Sequence, residues 1–311
     1  MRRLSFSFIV FVASVTVVSA ALAQAHFQSG VNLVALDVCV EHDDGSPETE
    51  LKPDDFLVLE DDVPQKISLF SAEGHVPLAV SILVDSSESM SGPPLQRARA
   101  AAGALIDLLR PDDLVEVMSF NDHASLRYPL GADHGRAKST LDDISAGGAT
   151  ALYEAVLVAV HNQEHAQHTR TADYREVMVL LSDGDNTAGR VTFDGVLERV
   201  RRSGVLIYTV SLITDARKTI VAPPWEMAQL AFDTGGQAVA SRDARSLTRI
   251  YQDIAEELLH LYRLGYVPSP PAHDGGWRRV TVRVPARGVV VRARSGYYSP
   301  EAARSGSRGG P

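Results

Sequence analysis

The segment Val80-Ser-Ile-Leu-Val-Asp-Ser-Ser-Glu-Ser-Met90 constrains this chain more than any other, because an apolar run passes without a break into a carboxylate followed by hydroxyls at alternate positions. A continuous apolar run of this length reads as a strand buried on both faces, the pattern of a parallel sheet covered by helices. Such a strand delivers Asp85 rigidly to a sheet edge, and an extended or turning backbone beyond it aims Ser87 and Ser89 at the point Asp85 faces. The run Glu176-Val-Met-Val-Leu-Leu-Ser-Asp183 repeats the pattern and again stops at a carboxylate and a glycine, Asp183 and Gly184. Between them, Gly147-Gly148-Ala149-Thr150 opens a helix predicted over 151–160, so Thr150 stands where a loop turns into a helix near the same sheet edge. All of these donors are hard oxygens. Without His or Cys beside them they suit Mg²⁺, with Mn²⁺ or Ca²⁺ as alternatives, rather than zinc or copper.

From Val76 onward strands and helices alternate. The pattern predicts strands at Pro77 to Val84, Leu114 to Phe120 and Val205 to Leu212, with a short one at Gln237. It predicts helices at Pro94 to Arg110, near Arg136, Ala151 and Phe193, at Pro224 to Phe232 and at Ser246 to Tyr262. Alternation of this kind means an α/β fold, a doubly wound and mostly parallel sheet with helices on both faces, and ligands in such sheets bind beyond the carboxyl ends of the strands. Flanking it, Val31 to Val40 and the tail stretches Tyr262 to Val267, Arg278 to Val284 and Val289 to Arg294 read as short strands. Neither flank suffices to fold alone, and the two are expected to pair in one small β-sandwich with the larger domain inserted between its halves. The expected limits are 26–75 for the first flank, 76–261 for the α/β domain, 262–300 for the second flank and 301–311 for a polar, disordered tail.

At the residues quoted above, the chain resembles the von Willebrand factor type A domain, whose metal-ion-dependent adhesion site combines Asp-x-Ser-x-Ser, a threonine loop and a strand-end aspartate. Those positions are Asp85, Ser87 and Ser89, then Thr150, then Asp183. The resemblance implies that Ser87 and Ser89 bind the metal directly, that Thr150 binds it in the ligand-competent state, and that Asp85 and Asp183 act mainly through bound waters. One position is then left for an Asp or Glu carboxylate of a protein partner. Neutral hydroxyls suit this task, since each directly bound carboxylate neutralises half the cation's charge and weakens its pull on another anion; Mg²⁺ also keeps its waters readily. The flanks, with Leu51-Lys-Pro-Asp-Asp-Phe-Leu-Val-Leu-Glu-Asp, Leu264-Gly-Tyr-Val-Pro and Gly296-Tyr-Tyr, resemble a narrower group of secreted bacterial proteins of acidobacterial type. One departure is the loop, Gly-Gly-Ala-Thr where that group often has Gly-Gly-Gly-Thr or Gly-Gly-Thr.

Arg2-Arg3, the apolar run Phe6 to Ala23 and Ala-Leu-Ala-Gln-Ala together have the layout of a cleaved export signal over 1–25, against the alternative of an uncleaved anchor. The protein is therefore expected to be periplasmic or extracellular, with no membrane span in the mature chain. Losing the two arginines takes the formal net charge from −9 to −11, and an acidic surface argues against nucleic acid as a partner. The single cysteine, Cys39, alternates with apolar residues and reads as a buried, inert thiol. His161, His165 and His168 share one helix but lack a fourth donor, so an exposed helix end accounts for them. Asp185 and Asn186 read as turn residues, with Asp185 in the metal's outer shell as the alternative; Asp122 and His123 read as solvated loop residues, with rimming the site as the alternative; and Trp225 reads as packing.

Two other classes compete with an adhesion module. A Mg²⁺-dependent phosphatase of the haloacid-dehalogenase type also starts from a strand-end Asp, but needs a second acid two residues on as its general acid; here that position is Ser87. A serine hydrolase would need a Gly-x-Ser-x-Gly elbow, which does not occur. A structural module with a vestigial metal site is the third class, and the complete ligand set argues against it.

Overall fold

The computed structural model describes residues 33–72, 76–169, 173–183, 186–213, 220–271, 273–285 and 288–301. The expected export segment, Gly184, Asp185 and the tail beyond Glu301 lie outside the described residues. Glu301 itself forms an isolated antiparallel bridge with Asp274.

Four strands lead in: β1 (Val34–His42), β2 (Leu57–Glu60), β3 (Val63–Gln65) and β4 (Ile67–Ser71). The central part follows as β5 (Leu78–Asp85), α1 (Pro93–Leu108), β6 (Leu114–Phe120), β7 (Ala124–Gly131), α2 (His134–Thr140) and α3 (Leu152–Thr169). It continues through β8 (Arg175–Ser182), α4 (Phe193–Ser203), β9 (Leu206–Leu212), α5 (Trp225–Thr234), β10 (Ala238–Ser241) and α6 (Leu247–Leu259). The chain closes with β11 (Tyr262–Tyr266), β12 (Trp277–Arg283), β13 (Val289–Ala293) and β14 (Gly296–Tyr298).

The central sheet has the order β10-β9-β8-β5-β6-β7 and is parallel except for β7. Strands β5, β8 and β9 are buried along their whole length, and successive residues feed opposite cores. Val80, Ile82, Val84, Val177, Val179 and Leu181 pack with residues of α1, α2 and α6. Leu83, Met178, Leu180, Met118 and Phe120 pack on the other face with α3, α4 and α5. The chain passes from β5 outward to β6 and β7, then returns to the far side of β5 as β8. That reversal makes the carboxyl ends of β5 and β8 the crevice where a ligand fits such a sheet.

Sequence reading left out β7, because only Tyr128 of this edge strand is buried and no apolar period marks it. Helix α3 also outruns the predicted stretch. Its second half is polar but is held by Gln163, whose amide donates to Ser81 Oγ (2.8 Å) and to the carbonyl of Val177 (2.8 Å).

Strands from the two flanks interleave in two four-stranded antiparallel sheets, β13-β1-β11-β4 and β14-β12-β2-β3. Strands β1, β2 and β4 pair across the insertion, with Leu36 opposite Leu264, Val40 opposite Val291, Val58 opposite Val282 and Phe70 opposite Leu264, while β3 and β14 add edges within their own flank. A separate core of Leu36, Val38, Val58, Leu264 and Tyr266 lies between them, with Phe56 edge-on to Tyr262 at 5.1 Å. Buried Glu60 is satisfied by the hydroxyls of Tyr266 (2.7 Å) and Tyr297 (2.9 Å). Among the described residues no helix is long and apolar enough to cross a membrane.

Candidate functional site

At the carboxyl end of β5, Asp85 is fully buried and both its oxygens are engaged. The backbone N–H of Ser87 donates to Oδ1 (2.8 Å), folding the chain back at once, and Ser182 Oγ at the end of β8 donates to Oδ2 (2.5 Å). Burial pushes the Asp85 carboxyl above the ordinary range, the donors from Ser182 and Ser87 pull it back, and the nearby Asp183 charge raises it again. A short 3₁₀ turn over Glu88–Met90 then presents Ser89 to solvent. Ser87 Oγ lies 3.1 Å from Ser89 Oγ, and Ser89 Oγ donates to Asp183 Oδ1 at 2.8 Å. The two serines and the second strand-end acid thus form one row of oxygens.

Backbone bonds bring the threonine loop to this row. The N–H of Glu88 donates to Gly148 O (3.0 Å) and that of Gly147 to Ser86 O (2.9 Å). Thr150, buried, has its N–H held by Thr187 Oγ1 (3.0 Å), while its carbonyl accepts from the N–H groups of Thr187 (2.9 Å) and Ala188 (3.1 Å). The loops after β5, before α3 and after β8 therefore fasten to one another. Asn186 is the turn residue expected: its amide donates to Ala188 O (2.8 Å), and its Oδ1 also accepts from Tyr153 N–H (3.1 Å), capping the first turn of α3.

Sequence reasoning missed Ser182 and Thr187, and underrated Asp122. Asp122 is exposed, as a loop residue would be, yet its Oδ1 accepts from Ala149 N–H (3.0 Å) and its carboxylate covers Gly148. Gly148 has φ +81°, so the Gly-Gly-Ala-Thr turn is built on a residue without a side chain. Ser182 had a signal, a hydroxyl one residue before the second strand-end acid; Thr187 had none. Trp225 corrects an expectation. It packs edge-on to Phe193 with centroids 4.8 Å apart, but remains 61% exposed. A proline at its N-terminal side starts α5 there and leaves the indole on the rim rather than in the core.

The histidines on α3 are exposed, with His161 and His165 stacked at 6.4 Å and His168 Nδ1 against Glu164 O (2.6 Å). Among the described residues, the donors that close to metal-ligating distances are instead Cys39, Glu41 and Glu257, within 4.8 Å of one another. A protein cation already sits among them. Arg292 contacts Glu41 Oε1 (2.7 Å), Glu257 Oε2 (2.6 Å) and Cys39 Sγ (3.3 Å), which makes this a half-buried ion-pair cluster. Burial pushes the Cys39 thiol far up, so it is not a thiolate at neutral pH.

A doubly wound sheet with clustered oxygen donors at its switch point defines a class of α/β domain that binds ligands at the strand ends. The chain belongs to the von Willebrand factor type A domain family, whose model matches residues 80–253, more than half of its 311 residues. Inter-alpha-trypsin inhibitor heavy chain H4 of Sus scrofa is 28% identical over 207 residues, covering 61% of this chain and 21% of that protein. The Homo sapiens H4 chain is 28% identical over 206 residues, covering 62% and 22%. The chain thus spans about a fifth of the length of these curated relatives. A solved von Willebrand factor type A structure from Catenulispora acidiphila superposes with a TM-score of 0.53 at 14% identity, over 88% of this chain and 76% of that one. At that identity the likeness concerns the fold. Domains of this family commonly bind a divalent cation and mediate protein interactions, and are in general not enzymes.

Proposed function

We propose that this is an exported, non-enzymatic interaction or adhesion protein that grips an Asp or Glu carboxylate of a protein partner through a divalent cation. Ser87, Ser89 and Thr150 supply direct ligands, and Asp85 and Asp183 hold the ion through water. The unit responsible is the α/β domain over 76–261, carried on the sandwich built from the flanks.

The row Ser87 Oγ, Ser89 Oγ, Asp183 Oδ1 carries this reading. The 3.1 Å between the two serine oxygens is close to the ~3.0 Å separation of adjacent ligands on an octahedral ion with bonds of about 2.1 Å, as Mg²⁺ requires, and Asp183 Oδ1, 2.8 Å from Ser89 Oγ, stands beside them to hold a bound water. Asp85 suits an outer role, since both oxygens already accept bonds from Ser87 and Ser182. The cation would supply an electrophilic point for the partner's carboxylate; the protein's part is to hold hydroxyls, not charges, nearest to it.

Calorimetric titration of the EDTA-stripped chain with Mg²⁺, Mn²⁺ and Ca²⁺ tests the reading. Saturable one-site binding is expected in the wild type and should vanish in Asp85→Ala and Ser87→Ala variants whose circular dichroism is unchanged. Equal binding in those variants would overturn it.

A further inference from the structure

Three aromatic side chains lead away from the candidate cation site in an unbroken row. Tyr153 stands three residues beyond Thr150, with its N–H held by the Asn186 side chain. Its ring lies 5.8 Å from that of Phe193, which lies 4.8 Å from that of Trp225. The three begin helices α3, α4 and α5, whose N-termini all sit at the sheet edge where β5 and β8 end. Tyr153 and Phe193 are half-buried and pack against the core between the sheet and α3–α5, and the row opens to solvent at Trp225. Trp225 is 61% exposed, and the loop before it carries Ile220 (75%) and Val221 (48%), also open to solvent. Scattered exposed apolar residues need no explanation, but an open Trp that continues a ring row from the site's edge, with exposed Ile220 and Val221 just before it in the chain, suits an interaction surface.

We infer that this ledge is the second half of the partner site: it receives a large apolar or aromatic side chain close in sequence to the carboxylate that completes the cation's shell. The inference rests on the proposed cation-dependent function. The occupant is a protein segment whose Asp or Glu is followed or preceded, within about two to four residues, by Trp, Phe, Leu or Ile. The spacing comes from the row itself, whose two centroid steps an extended chain covers in about three residues at ~3.3 Å each. The carboxylate supplies cation dependence; the ledge supplies selectivity, since a bare acid–cation contact is open to any surface carboxylate. Tyr and Trp suit this task, offering rigid apolar area at low entropic cost.

The test is selection on the full chain, in Mg²⁺, from a displayed peptide library with one fixed Asp and four random positions on either side, eluted with EDTA. The EDTA-released pool should be enriched in Trp, Phe, Leu or Ile two to four residues from the Asp. A peptide from that pool should bind Trp225→Ala about tenfold more weakly than wild type while remaining EDTA-sensitive. Phe232→Ala, removing an equally exposed ring at the far end of α5, should leave its affinity unchanged. A released pool with no apolar preference, or one with the same preference on Trp225→Ala, would overturn the ledge and leave the cation site standing. Absence of any EDTA-released pool would overturn both.

Discussion

Gly148 has almost no freedom to change. At φ +81° a side chain is strained, and an added Cβ would lie 2.8 Å from Asp122 Cγ, displacing the carboxylate that holds Ala149 N–H. Gly148→Ala is expected to lower unfolding free energy by about 2 kcal/mol in urea titration and to weaken calorimetric Mg²⁺ binding, because the loop it distorts carries Thr150. Glu116 makes a different prediction. It is buried on β6 with one oxygen accepting from Asn162 (3.0 Å) and the other without a partner among the described residues, and burial pushes its carboxyl up to about 7. A carboxyl raised from 4.5 to about 7 on folding stabilises fully below about pH 4.5 and loses that contribution as pH rises through about 7, on the order of 3 kcal/mol. Glu116→Gln stays neutral, so its melting temperature should exceed that of wild type at pH 8 and converge with it near pH 4.5. A gap that does not shrink on acidification would contradict the assignment. The apolar run around Glu116 was visible in the sequence, but its isolation from water was not, since that depends on α3 closing over β6.

Arg175 begins β8, yet its chief work is at the end of α6. Its side chain is 2% exposed; Nε donates to Asp37 Oδ1 of β1 (2.9 Å), and the guanidinium reaches the carbonyls of Leu258 (3.3 Å) and Leu261 (3.5 Å). A cation there satisfies the helix's last acceptors and opposes the negative end of its dipole. Arg175→Met should destabilise by about 3 kcal/mol in urea unfolding, leaving Asp37 only the longer contact with Arg263 (3.6 Å). Arg175→Lys should restore little, because one ammonium cannot span three acceptors. The apolar stripe of α6 was legible as core from its spacing. The anchor at its end was not, because Arg175, Asp37 and Leu258 belong to three distant segments.

Across the molecule, the sandwich and the α/β domain have separate cores joined by partly buried ion pairs. One joint is Arg175 with Asp37; another is Arg292 of β13, bridging Glu41 of β1 and Glu257 of α6. Such joints couple the two halves only while both partners remain in place. Trp225 reports the α/β domain and Trp277, edge-on to Tyr298 at 5.1 Å, reports the sandwich. Single-tryptophan variants Trp277→Phe and Trp225→Phe should therefore unfold in urea with coincident midpoints. Adding Arg292→Met, which leaves the half-buried Glu41 and Glu257 without their shared cation, should separate them. Midpoints already apart in the single-tryptophan variants would show that the joints do not couple the cores.

Apolar run length and alternation are local properties of the chain, and they were enough to predict the parallel sheet, the two strand-end acids and the serines spaced to follow Asp85. The sequence also determined that the flanks needed each other, since neither carries enough apolar surface to close a core alone. That Ser182 secures Asp85, that Thr187 holds Thr150, that Asp122 roofs Gly148 and that Trp225 stays in water emerged only on folding. Those facts follow from strand register and from which loops meet at the switch point between β5 and β8, and both are set by packing between residues far apart in the chain.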